Sequence, residues 1–376
     1  MKVFERNARY MTGFLVVLFL FSFIHWTGNS LSPGSGTAEA KITEATNPSE
    51  ENIVLDKSNP NVKRVMDAQN RHAPALMEIP DVVGTAAGLA EDNRPAILIF
   101  TKKKMAAGTI PEYLEDIPVT VVVTGKVFAL KEPVSSKGKG TVDPTSKFTM
   151  PVPIGVSTGN IGECSAGTIA ARLKDASEFV YALSNNHVYA LENNANDNSI
   201  ILQPGLYDTH CADAGSNVIG TLHSFVSINF NGGNNKVDAA IASSSVDKLY
   251  NKTPSDGYGM PNSLTYFQAT GETPYIGQPV KKYGRTTGLT TGTIKGINVT
   301  VKVCYNSSCT LIATFVDQLA IGAGNFSKAG DSGSLIVTND DNAYPIGLLF
   351  AGGSGVTFGN PIDEVLGSFN LSVDGK

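Results

Sequence analysis

Lys328-Ala-Gly-Asp-Ser-Gly-Ser334, close to the C-terminus, is the stretch whose reading decides the fold. A serine set among glycines sits in a turn where the backbone can approach a ligand closely. In such a turn the amides of Gly330 and Ser332 can point at one developing oxyanion while the Ser332 hydroxyl attacks the carbonyl. Asp, Ser and Gly are also common turn formers, so an ordinary glycine-rich hairpin is the alternative. The stretch alone leaves both readings open.

A serine hydroxyl is a weak nucleophile until a base takes its proton, so a histidine is the next requirement. The chain has five: His25, His72, His187, His210 and His223. His25 lies in an N-terminal apolar segment, and His72 precedes the region where strand signals begin. His187 occupies a polar corner inside the apolar run Tyr181-Ala-Leu-Ser-Asn-Asn-His-Val-Tyr-Ala190. A carboxylate must then hold the imidazole tautomer. Asp238, in Val237-Asp-Ala-Ala-Ile-Ala242, is the acid at the head of a buried-looking apolar run. Buried carboxylates are rare without a partner. The order His187, Asp238, Ser332 has intervals of 51 and 94 residues.

That order and those motifs resemble the chymotrypsin-like (trypsin fold) serine peptidases. Gly330-Asp-Ser-Gly-Ser334 is similar to the family's nucleophile motif, Leu183-Ser-Asn-Asn-His-Val188 to its histidine corner, and Val237-Asp-Ala-Ala-Ile241 to its aspartate strand. Pro279-Val-Lys-Lys-Tyr-Gly-Arg-Thr-Thr-Gly288 is similar to the strand that opens the second barrel in bacterial members, and also to the plant narrow-leaf group of trypsin-like proteins. The resemblance covers roughly residues 150–370. The histidine corner departs from the usual Ala-Ala-His-Cys, because Asn186 precedes His187 and no cysteine follows. One common disulfide is thereby missing, and the chemistry is untouched.

The resemblance implies an all-β catalytic unit of two six-stranded antiparallel barrels over about 150–250 and 275–376, with His187 and Asp238 from the first and Ser332 from the second. It places Phe326, six residues before Ser332, at the base of the primary specificity pocket, opposite Ala351, Gly352 and Gly353. No acid lies between Gly324 and Ala329, so a buried Lys or Arg side chain would go uncompensated. Cleavage after small or medium apolar residues is expected, and a two-residue slip in the alignment would instead bring Lys328 to the pocket and favour acidic residues. Family members often bury a freshly cut Ile-Val N-terminus against the acid before the serine, here Asp331. No Ile-Val-Gly-Gly occurs near residue 150, so internal donors to Asp331 are expected instead.

Outward from the motifs, the chain is long enough for two or three packed cores at 376 residues and 41% apolar content. The 38 glycines fit a turn-rich β protein. A net charge of −5 gives no reason to expect nucleic acid or an anionic membrane surface as partner, and the resemblance implies protein or peptide substrates. The strand-rich runs divide at the Gly/Pro/Ser/Asn-rich stretch Thr253–Ser263, and Pro361–Leu366 reads as a short C-terminal helix.

Residues 1–30 read as a secretory signal: Lys2, Arg6 and Arg9 precede the apolar run Gly13–Ile24. The run is shorter than the ~20 residues of a spanning helix, and an uncleaved N-terminal anchor is the alternative. Secreted or periplasmic export follows. Residues 31–58 and Ser135–Ser146 read as linkers. Between them, 60–133 reads as a small α+β domain. Asn59-Pro60 starts a helix that should stop by Pro74, and three β-rich runs follow at Asp81–Leu89, Pro95–Phe100 and Pro118–Thr124. A cleaved pro-domain and a permanent accessory domain are both open.

Four cysteines in an exported chain fit an oxidising compartment. Cys304 and Cys309 flank a hairpin tip and are paired here, leaving Cys164 with Cys211; free buried thiols are the alternative. The Asn-rich loop Glu192–Asn198 reads as a solvated turn rather than a calcium site. No metal or nucleotide cofactor is indicated. Two function classes stand: an endopeptidase using His187, Asp238 and Ser332, and a trypsin-fold protein that mainly binds peptides or proteins.

Overall fold

The computed structural model describes residues 54–130, 140–212 and 215–376. The expected signal or anchor, most of the first linker and part of the second lie outside them. No helix among the described residues is long and apolar enough to cross a membrane. Residues Asn52–Lys376 form one compact unit.

The described chain is mostly β. Its first sheet runs, in spatial order, through Ser372–Val373, Ala171–Lys174, Val180–Ser184, Ala240–Ser243, Asn217–Phe225, Ile200–Gln203, Ser157–Asn160 and Gly167–Thr168. The two strands near its ends, Gly167–Thr168 and Ala171–Lys174, are neighbours in sequence, so the sheet curls around the apolar cluster of Val156, Ile169, Ala182, Ile201 and Leu222. The second sheet contains a ring of six antiparallel strands. Pro279–Gly284 pairs with Gly288–Cys304, which pairs with Ile312–Gly322; Val356–Pro361, Pro345–Gly353 and Leu335–Thr338 complete the circuit back to Pro279–Gly284.

The strands do not divide six and six. The first sheet has eight and the second twelve, because the N-terminal strands join the second. Val82–Leu89 pairs antiparallel with Gly288–Cys304 on one side and with Pro95–Thr101 on the other. Ile117–Val123 then adds in parallel to Pro95–Thr101. The 17-residue strand Gly288–Cys304 extends beyond the stretch that Pro279–Gly284 covers, and an uncovered ladder of N–H and C=O groups invites another strand. The C-terminus crosses the other way: Ser372–Val373 pairs with Lys174 and Leu173 in the first sheet. The C-terminal helix runs over Ile362–Phe369.

The N-terminal helix starts where the sequence places it, with the Asn59 side chain accepting from the amides of Asn61 and Val62. It does not stop at Pro74 but continues to Glu78. An interior proline costs a helix roughly 3 kcal/mol. Leu76 and Met77 are buried beyond it, and a fully buried side chain of this size returns about 1.5–3 kcal/mol. Packing against the sheet therefore outweighs the lost hydrogen bond. Gln69 ties the helix to the strands Val82–Leu89 and Gly288–Cys304 by donating to Thr85 Oγ1 at 2.9 Å and accepting from Asn298 Nδ2 at 2.6 Å.

Candidate active site

The two halves meet along a cluster that joins Ala170, Leu183 and Val237 to Leu335, Leu348 and Ile362. His187, Asp238 and Ser332 all sit on this seam, and all three are fully buried. The strand Val180–Ser184 delivers His187 on the short helix Asn186–Tyr189. Asp238 lies just before Ala240–Ser243, and Ala240 is in register with Ser184. Asn185 fixes the junction by donating from Nδ2 to the Asp238 carbonyl at 2.7 Å.

The serine turn comes from the other half and is pinned by the first. The Thr168 amide donates to the Ser332 carbonyl at 2.7 Å, and the Thr168 hydroxyl donates to the Gly330 carbonyl at 3.0 Å. Gly330 and Gly333 both have positive φ, +96° and +90°. A Cβ at Gly333 would collide with the Thr168 carbonyl and the Ser184 hydroxyl, so glycine is required there.

His187 Nδ1 lies 2.7 Å from Asp238 Oδ2, and the His187 amide donates to Oδ1 at 3.3 Å. A carboxylate only accepts, so Nδ1 is the donor of this bond; in the neutral imidazole Nε2 is then the acceptor. Nε2 is buried without a hydrogen-bond partner. The Ser332 hydroxyl donates instead to the Phe350 carbonyl at 3.2 Å. The pair is thus assembled, with the serine turned toward the strand beside it.

A third group reaches the same carboxylate. Tyr305, inside the hairpin bracketed by Cys304 and Cys309, donates its hydroxyl to Asp238 Oδ2 at 2.7 Å. Its ring stands edge-on to His187 with centroids 5.9 Å apart. Burial first, and the Asp238 charge second, push the Tyr305 hydroxyl well above the usual phenol range, so it stays a donor. Sequence reading missed this residue; its place between the two paired cysteines was the available signal. Both expected disulfides, Cys304–Cys309 and Cys164–Cys211, are formed.

Asp331 is held from within. Its carboxylate accepts from the amides of Thr286, Thr287 and Lys328 at 2.8, 3.1 and 2.9 Å, and from the Thr287 hydroxyl at 2.7 Å. Lys282 Nζ lies 3.7 Å away, fully buried, and burial draws its pKa down despite the carboxylate. A buried ionic group needs such satisfaction on every side. Asp331 thus finds its donors within the chain, with Lys282 the nearest side-chain nitrogen.

The groove beside the serine is occupied by the chain itself. Phe128–Ala129 pairs antiparallel with Gly352 and Ala351, and the Leu130 amide donates to the Phe350 carbonyl at 3.3 Å. The Leu130 carbonyl accepts from the Gly330 amide at 2.6 Å. Leu130 Cδ1 comes within 3.2 Å of where a Gly352 Cβ would stand, and its side chain packs on the core cluster that includes Phe326. Ala351, Gly352 and Gly353 thus lie along this segment, while Phe326 is a buried member of the core cluster on which Leu130 packs. Ser327, Lys328 and Ala329 line the groove alongside Glu163 and Tyr207. Sequence reading missed the strand Phe128–Ala129 and the Leu130 that follows it; an apolar triplet just ahead of a Lys/Gly/Ser linker was their only mark.

Among the described residues no group of three or more His, Cys, Asp or Glu is placed to hold a metal ion. In the loop after His187, Asn193 spends its side chain on Asn186 Nδ2 at 2.8 Å and on the Ile228 backbone at 2.9 Å.

A family model described as the Nal1 C-terminal domain matches residues 265–358. No curated protein matches the chain by sequence. Among solved structures, the chain is similar to a glutamic acid specific serine protease that uses a histidine triad in substrate binding, at 20% identity over 59% of this chain and 100% of that one, with a TM-score of 0.40. It is also similar to a Nocardiopsis protease, at 19% identity over 59% and 99% of the two chains and a TM-score of 0.41. Protease A of Thermobifida fusca matches at 17% identity over 60% and 100%, again with a TM-score of 0.41.

Proposed function

We propose that the chain is a serine endopeptidase of the trypsin fold, exported to an oxidising compartment, with Ser332 as nucleophile, His187 as proton shuttle and Asp238 as orienting carboxylate. One observation carries this reading: an extended strand lies in the groove with a carbonyl oxygen on the Gly330 amide, next to a buried His187–Asp238 pair. A strand-binding groove alone has no use for a buried carboxylate and imidazole, which cost several kcal/mol to desolvate. In the reaction Ser332 Oγ attacks the carbonyl, Nε2 takes its proton, and the Gly330 and Ser332 amides hold the oxyanion. His187 then protonates the leaving amine, and water repeats the sequence to release the acid.

Leu130 marks the primary pocket, bounded by Gly352 and the apolar core about Phe326, with no carboxylate at its base. Cleavage after leucine and other medium apolar residues is the expected specificity. A peptide-library profile tests it: Leu should rank among the best residues, and a dominant Lys, Arg or Glu preference would refute the pocket assignment. Replacing Gly352 with valine should shift the profile toward alanine, because the new side chain enters the space Leu130 fills.

Tyr305 acts in this scheme as a positioning residue. A hydrogen bond to a charged group contributes about 1.5–3 kcal/mol, so Tyr305→Phe should lower kcat/KM by roughly 10- to 100-fold. Without the hydroxyl the Asp238 charge is less dispersed and favours imidazolium more, so the acid limb of the pH profile should move to higher pH. A lowered rate with an unmoved acid limb would leave Tyr305 a packing role only.

A further inference from the structure

Resting on the hydrolase reading, the geometry points to the chain as its own first substrate: we propose that Ser332 cuts the peptide bond following Leu130, and that the residues ending at Leu130 stay on the sheet as an inhibitor. Three contacts made by this segment are those a cleavable strand needs. Its backbone pairs antiparallel with Ala351 and Gly352. Leu130 donates its amide to the Phe350 carbonyl at 3.3 Å and presents its own carbonyl to the Gly330 amide at 2.6 Å. Its side chain fills the apolar space against Gly352.

The approach to that position is equally built. The Thr124 carbonyl accepts from the Ser354 amide at 2.7 Å, and the Val127 carbonyl accepts from the Cys304 amide at 2.9 Å. From Thr124 to Leu130 the chain therefore runs between the hairpin that carries Tyr305 and the strand Pro345–Gly353. Upstream, Ile117–Val123, Pro95–Thr101 and Val82–Leu89 anchor it to Gly288–Cys304 through continuous ladders. A segment tethered this way reaches the groove at a high effective concentration, so it competes with any free peptide.

The step balances within the chain. Ser332 Oγ bonds to the Leu130 carbonyl carbon, and its proton passes to His187 Nε2. The bond from that carbon to the following nitrogen breaks, and the nitrogen leaves as an amine with the proton from His187. One water then bonds its oxygen to the Leu130 carbon and gives a proton to His187; the ester bond from that carbon to Ser332 Oγ breaks, and Oγ takes the proton from His187. The products are a carboxylate at Leu130 and a new amino terminus at Lys131. The cut severs none of the ladders upstream, so the N-terminal fragment remains bound and the enzyme stays blocked until that fragment is removed.

Intact-mass analysis and N-terminal sequencing of the expressed full chain test this, with fluorophosphonate labelling of Ser332 as the second readout. Wild type should appear as two co-purifying fragments with a new terminus at Lys131. Ser332→Ala should remain one chain, and Leu130→Met should still be cut. Leu130→Asp should remain one chain yet label at Ser332 about tenfold faster or more than wild type, since a buried carboxylate there weakens the blocking strand. A thermal melt of each variant checks that it folds. An uncut wild type alongside a labelled Leu130→Asp chain would overturn self-cleavage and leave the hydrolase reading standing. The same cut in Ser332→Ala would assign it to another protease and overturn the proposal. An uncut wild type with no labelling in folded Leu130→Asp would overturn both.

Discussion

Replacing Ser332 or His187 with alanine is expected to lower peptide hydrolysis by about 10⁴–10⁶-fold, and replacing both should cost little more than either alone. The two side chains serve one proton transfer. Without the hydroxyl no acyl-enzyme forms, and without Nε2 the hydroxyl keeps its proton. The remaining rate comes from the Gly330 amide and from strand pairing along Ala351–Gly352. Structurally the serine change is mild: it removes one hydrogen bond, to the Phe350 carbonyl, of about 1 kcal/mol. Steady-state kinetics of the four chains, measured in the Leu130→Asp background to open the groove, give the check. Multiplicative losses in the double variant would mean that the two residues do not share a step.

Asp238→Asn should lower kcat by about 10⁴-fold through the imidazole tautomer. Asp238 accepts three hydrogen bonds: from Nδ1 and the amide of His187, and from the Tyr305 hydroxyl. An asparagine with its amide nitrogen toward His187 offers Nδ1 a proton instead of accepting one. The ring proton then moves to Nε2, and the base for Ser332 is gone. KM for an apolar peptide should change little, because the groove does not touch this carboxylate. An unchanged rate would send the orienting role to another acid. Asp208 could not take it, since it is committed to Arg285 Nε at 3.0 Å and to the Ser157 hydroxyl at 2.5 Å.

What the sequence reveals and what it hides divide along the range of the interactions. Gly330 and Gly333 are legible because a positive φ demands glycine locally. The His187 corner and the Asp238 strand are legible because polar residues interrupt apolar runs, and such interruptions need partners. The cystine at 304–309 is legible from its short spacing. The continuation of the first helix past Pro74 is hidden, since local propensity argues against it and only the burial of Leu76 and Met77 reverses the balance. The joining of Val82–Leu89 to Gly288–Cys304 is hidden because strand pairing between segments about 200 residues apart leaves no periodic trace. Tyr305 and Leu130 are hidden for the same reason. A tyrosine in a hairpin and a leucine before a linker acquire their partners, Asp238 and Gly330, only in the folded chain.

The central claim, that Ser332 is an activated nucleophile, is tested most directly by fluorophosphonate labelling in the Leu130→Asp chain, compared with the same chain carrying Ser332→Ala. Covalent label confined to the peptide containing Ser332, lost in the alanine variant and strongly reduced by His187→Ala, is the predicted result. Equal labelling in the presence and absence of Ser332, or none in a folded Leu130→Asp chain, would contradict it.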